Sequence, residues 1–89
     1  MLTNLPADAP LAQPPSKLKA RRLLLGLSQR SVAQASKGRL TRDGLSRFET
    51  GDAWPNPLHM QALADVYACS RETICEEAMQ AWLNRSERP

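Results

Sequence analysis

From Ser16 onward the apolar residues recur every three or four positions in short bouts, each opened by a hydroxyl or amide residue and closed by glycine or a polar turn. That rhythm predicts a series of short helices. Ser16 caps a first helix from Lys17 to about Leu25, with Leu18 and Leu25 facing inward and Gly26 ending it. Ser28 caps a second, whose small buried face is Val32 and Ala33. A turn over about Lys37 to Leu40 leads to Thr41, which caps a third helix carrying Leu45 and Phe48 at i, i+3 and stopping at Gly51. Asn56 and Pro57 start a fourth helix, with Met60, Leu63, Ala64 and Tyr67 on one face. Ser70 starts a fifth, with Ile74, Ala78 and Trp82 on one stripe and Cys75, Met79 and Leu83 beside it. No segment alternates with period two over a useful length, so the predicted fold is all-α with five helices.

Composition narrows this further. The 89 residues are 42% hydrophobic and 24% charged, as in an ordinary globular domain with one core. Only Phe48, Trp54, Tyr67 and Trp82 are aromatic, so aliphatic side chains must fill that core. Residues 1–15, rich in proline and alanine, read as a flexible arm; 16–84 form the domain and 85–89 a polar tail. The longest apolar run, Leu23 to Leu27 broken by Gly26, is far too short to span a membrane. The first fifteen residues hold four prolines and no Lys or Arg, unlike a signal peptide, so a cytoplasmic protein is expected. Cys69, Cys75 and the single His59 supply neither a disulfide framework nor a zinc ligand set, and no metal or cofactor is expected.

Charge then singles out one half of the chain. Between residues 16 and 47, Lys17, Lys19, Arg21, Arg22, Arg30, Lys37, Arg39, Arg42 and Arg47 stand against Asp43 alone. Residues 48–89 hold Arg71, Arg85 and Arg88 against Glu49, Asp52, Asp65, Glu72, Glu76, Glu77 and Glu87. Beyond merely keeping the protein soluble, a block this one-sided is the footprint of a polyanion partner, a nucleic acid more often than an anionic membrane. The segment Arg42 to Thr50 suits a helix lying in a DNA major groove: Leu45 and Phe48 anchor it inward, while Arg42, Asp43, Ser46 and Arg47 point outward. Gln29 and Thr41, near helix N-termini, are placed to meet phosphate. Lys37 and Arg39, in the turn, are expected to neighbour the backbone.

Leu18, Arg22, Gly26-Leu27-Ser28-Gln29, Val32-Ala33, Thr41-Arg42 and Leu45-Ser46-Arg47-Phe48-Glu49 with Gly51 follow one another in a familiar order. With Pro55, Leu63-Ala64, Ser70 and Ile74, they make the chain resemble the lambda-repressor/Cro-like helix-turn-helix (XRE-type) family over about residues 17–74. The resemblance implies a five-helix domain that binds operator DNA as a two-fold dimer and represses or autoregulates transcription. It implies phosphate-contacting or helix-docking positions for Gln29, Thr41 and Thr50, and base-facing ones for Arg42, Asp43, Ser46 and Arg47. It also implies an Arg22–Glu49 ion pair that staples the first helix to the third. The chain departs from the family in a longer stretch between Val32 and Glu49, around Ser36 to Leu40. Ser36 stands where an apolar residue normally closes the second helix, a task left to Ala35 and Leu40. Gly44 falls inside the third helix.

Met79, Trp82 and Leu83 lie beyond the end of the family core and form an expected homodimer contact. Trp54 is expected to pack at the corner between the third and fourth helices, and His59 to be exposed and inert. With one histidine, no P-loop and no paired carboxylates, no catalytic residues are expected. The reading is a dimeric DNA-binding repressor. The alternative is an antitoxin-type protein that masks a toxin partner, through residues 1–15, and autoregulates its own operon.

Overall fold

The structure, a computed structural model, describes residues 15–86 and consists of α1 (Lys17–Leu24), α2 (Gln29–Ala35), α3 (Arg42–Thr50), α4 (Pro57–Tyr67) and α5 (Arg71–Ser86). Among the described residues there is no strand. The arm expected over 1–15 lies, but for Pro15, outside them. Residues 87–89 lie outside as well, and α5 continues through Arg85 and Ser86, past the expected domain boundary at 84.

Each helix begins where a side chain can satisfy a free backbone N–H. Ser16 accepts from Lys19, Ser28 from Ser31, Thr41 from Gly44, Asn56 from His59 and Ser70 from Thr73. His59 is not inert: its Nδ1 accepts the Asn56 backbone N–H at 3.3 Å, closing a capping box, and its ring lies 5.1 Å from that of Phe48.

The core joins Leu18, Val32, Leu40, Leu45, Phe48, Leu63, Tyr67 and Ile74 with the small residues Ala62, Ala64 and Ala78. Burying each large aliphatic side chain contributes about 1.5–3 kcal/mol. Helix α5 packs against α1, α3 and α4, and α2 packs on α3. Its inward stripe is Ile74, Glu77, Ala78 and Ala81. Trp82, expected on that stripe, is 42% exposed and stacks edge-on against Trp54, ring centroids 6.0 Å apart. The small Ala81 takes the inward place because α5 there presses directly on the backbone of the α3–α4 corner: a Cβ on Gly51 would lie 2.3 Å from the Ala81 carbonyl oxygen.

Leu25 also departs from expectation. Helix α1 ends at Leu24, and Leu25 and Leu24 are left 49% and 88% exposed. The turn into Gly26 (φ +74°) swings Leu27, rather than Leu25, against the core. At the end of α2 the closing task falls to Leu40, while Ala35 stays exposed. Ser36 is itself fully buried. Its hydroxyl donates to the Ala33 carbonyl at 2.7 Å and accepts from the Leu40 N–H at 2.9 Å, so a polar residue fits an apolar place without an orphaned group.

Candidate nucleic-acid interface

Helix α3 is the element on which the two faces of the sequence separate most cleanly. Leu45, Phe48 and Glu49 are buried, whereas Arg42, Asp43 and Arg47 are exposed and Ser46 is half-buried. Thr41 caps its start, and a methyl at Gly44 would come to 3.0 Å from the Thr41 hydroxyl, crowding that cap. On the outer face Asp43 lies 3.3 Å from Arg47, its i+4 neighbour, so the carboxylate holds the guanidinium fork along the helix.

What holds α3 outward is a buried polar cluster behind it. Arg22 of α1 donates two bonds to Glu49, at 2.6 and 3.2 Å, and a third to the Leu27 carbonyl at 2.9 Å. Gln29 of α2 adds a bond to the same carboxylate at 3.1 Å. Glu49 therefore ties α1, α2 and α3 together, and the side-chain amide of Gln29 is turned toward it. The carboxylate raises the Arg22 pKa further above its already high range, against the opposing effect of burial.

Sequence reasoning missed a second such pair. Arg21, next to Arg22, grips Glu77 of α5 through bonds of 2.9, 3.1 and 2.7 Å. The signal was present: Glu77 is a charged residue on the apolar stripe begun by Ile74. Tyr67 sits near both pairs, and burial, reinforced by the Glu49 charge, pushes its phenol well above the usual range. Two further pairs lie at the surface. Arg39 reaches Asp65 of α4 at 2.9 Å while donating to the Ser36 carbonyl, which fastens the lengthened turn to α4. Arg39 and then Gln61 hold the Asp65 carboxyl below the ordinary carboxylate range. Arg85 pairs with Asp52, whose other oxygen accepts from the Thr50 hydroxyl at 2.7 Å.

These pairs sort the basic residues. Arg21, Arg22, Arg39 and Arg85 are tied to acids of the second half of the chain, whereas Lys19, Arg30, Lys37 and Arg42 make no ion pair among the described residues. Those four lie on α1, on α2, in the turn and at the start of α3. Lys37 is also held at φ +58°, a left-handed conformation that costs a non-glycine residue roughly 1–2 kcal/mol. Of the expected contact residues, Gln29 and Arg42 line one depression beside α3, while Gln29, Arg39 and Thr50 already have intramolecular partners. Met79, Trp82 and Leu83 lie apart on α5, 44%, 42% and 52% exposed. Cys69 and Cys75 are free thiols.

Two short helices joined by a turn, the second anchored by its apolar side with its basic side outward, define a helix-turn-helix DNA-binding domain. A family model described as helix-turn-helix matches residues 18–74, more than half of the chain. The chain belongs to the lambda-repressor-like (XRE-type) helix-turn-helix family, whose members are DNA-binding transcription regulators. No curated protein and no solved structure matches the chain. Among the described residues no helix is long and apolar enough to cross a membrane.

Proposed function

We propose that the protein is a cytoplasmic repressor that binds an inverted-repeat operator as a homodimer, each α3 lying in a major groove with half-sites ~34 Å apart. The observation that carries this reading is the two-sidedness of α3, with Glu49 locked inward by Arg22 and the Asp43–Arg47 pair outward. Arg42, Asp43, Ser46 and Arg47 form the base-facing side. A guanidinium fork suits guanine O6 and N7, and a carboxylate accepts from cytosine N4. Gln29, Lys37, Arg39, Thr41 and Thr50 flank it as backbone contacts. Lys37 is the most available of these, having no acidic partner among the described residues. The apolar group Met79, Trp82 and Leu83 suits a self-complementary contact between two copies. No observation favours the toxin-partner alternative, whose expected carrier, residues 1–15, lies almost wholly outside the described residues.

The test is selection of bound duplexes from a random pool. A two-fold symmetric site with half-sites one helical turn apart, and affinity that falls steeply with salt, is the expected result. Selected sites without symmetry would overturn the dimeric operator reading, and no enrichment at all would overturn sequence-specific binding.

A further inference from the structure

A depression of about 400 Å³ opens beside α3, and its described lining is Lys19, Arg22, Ser28, Gln29, Arg30 and Arg42. Three of these groups are already committed. Arg22 is held by Glu49 and the Leu27 carbonyl, Gln29 donates to Glu49, and the Ser28 hydroxyl bonds that of Ser31 at 2.9 Å. The other three are cations from three different helices. None makes an ion pair among the described residues, and no carboxylate is part of the described lining. Like charges converging on one hollow repel each other unless an anion lies between them. Neither Lys19 nor Arg30 stood out in the sequence, because nothing in the periodicity says that α1 and α2 bring them to the start of α3.

We propose that Lys19, Arg30 and Arg42 together hold one phosphodiester of the bound duplex, one such linkage in each half-site. The proposal rests on α3 being the DNA-reading helix, and it narrows that reading. Arg42 becomes an anchor on the backbone rather than a reader of bases, the anchoring passes from the Gln29 amide to the three cations, and direct readout is left to Arg47 with Asp43 and Ser46. A contact of this kind fixes register without carrying sequence information.

The experiment uses the duplex selected from the random pool, with each phosphate in turn replaced by an uncharged methylphosphonate. Wild type is compared with the Lys19→Ala/Arg30→Ala double variant. In wild type, neutralising one particular linkage per half-site weakens binding by roughly tenfold or more. In the double variant the same replacement changes binding less than about twofold. Its log–log salt slope is also shallower by up to about 0.9 per bound half-site, from the one phosphate no longer neutralised. Arg42→Ala binds more weakly but selects the same sequence as wild type. Neither variant has a lower thermal midpoint than wild type, since none of the cations is in a folded-state ion pair and their removal relieves mutual repulsion. Identical linkage maps for wild type and double variant would overturn the proposal, as they would if the hollow held a free phosphate or nucleotide instead. A change of selected sequence in Arg42→Ala would overturn it too. Wild-type protein that enriched no duplex would sink the DNA reading itself, a separate outcome.

Discussion

Glu49 is a charged residue left only 5% exposed, and its three donors come from two other helices. Removing its charge while keeping its shape leaves the Arg22 guanidinium buried without a counter-charge. Glu49→Gln is therefore expected to cost about 3 kcal/mol. In a domain this small that lowers the thermal midpoint by more than about 10 °C, and an unchanged midpoint in a melting experiment would contradict the stapling role. The Arg22–Glu49 pair was legible only through resemblance to the family, because periodicity assigns charges to the outside by default. The same default hid Arg21–Glu77, although Glu77 falls on the buried stripe of α5. His59 was misread for a related reason: its capping role depends on the Asn56 backbone, which a side-chain pattern does not display.

At the scale of elements, the helix starts were the most legible part of the chain, since a hydroxyl or amide before an apolar rhythm has one main physical use. The helix ends were less so. Leu25 looked like the next inward residue of α1, but Gly26 turns the backbone and Leu27 takes the core place. The packing of α5 on the α3–α4 corner was invisible in the sequence, and Gly51 makes it testable. Its φ is +82°, and an added Cβ would meet the Ala81 backbone, whereas Gly38 (φ +87°) faces open space. Gly38→Ala is expected to cost roughly 1–2 kcal/mol from backbone conformation alone. Gly51→Ala should cost about 3 kcal/mol or more, because α5 must also move away. Equal losses in denaturant titrations of the two variants would mean that α5 does not bear on this corner. The lengthened turn also finds its physical account here, through the Ser36 hydroxyl bridging Ala33 and Leu40 and Arg39 tying the turn to α4.

At the scale of the molecule, the uneven charge of the sequence becomes a division of labour. Acids of the second half neutralise the arginines that join one element to another, while Lys19, Arg30, Lys37 and Arg42, on α1, α2, the turn and the start of α3, are left without an ion pair among the described residues. Adjacent Arg21 and Arg22 grip α5 and α3, so α1 links the helix with the exposed Met79, Trp82 and Leu83 to the one we propose reads DNA. If that apolar group joins two copies, the Met79→Glu/Leu83→Glu variant sediments as a monomer with unchanged helix content. Its affinity for a two-half-site duplex then drops by roughly 100-fold, because the second half-site no longer binds in tandem. A dimer that survives both substitutions would move the interface elsewhere.

The claim on which these arguments converge is that Arg47, aimed by Asp43 from the outer face of α3, reads bases in the major groove. Selecting duplexes from one random pool with wild type and with Arg47→Ala, side by side, tests it most directly. The account predicts that the variant loses preference at one position in each half-site and keeps it at the others. An unchanged preference, with binding merely weaker on every sequence, would contradict it.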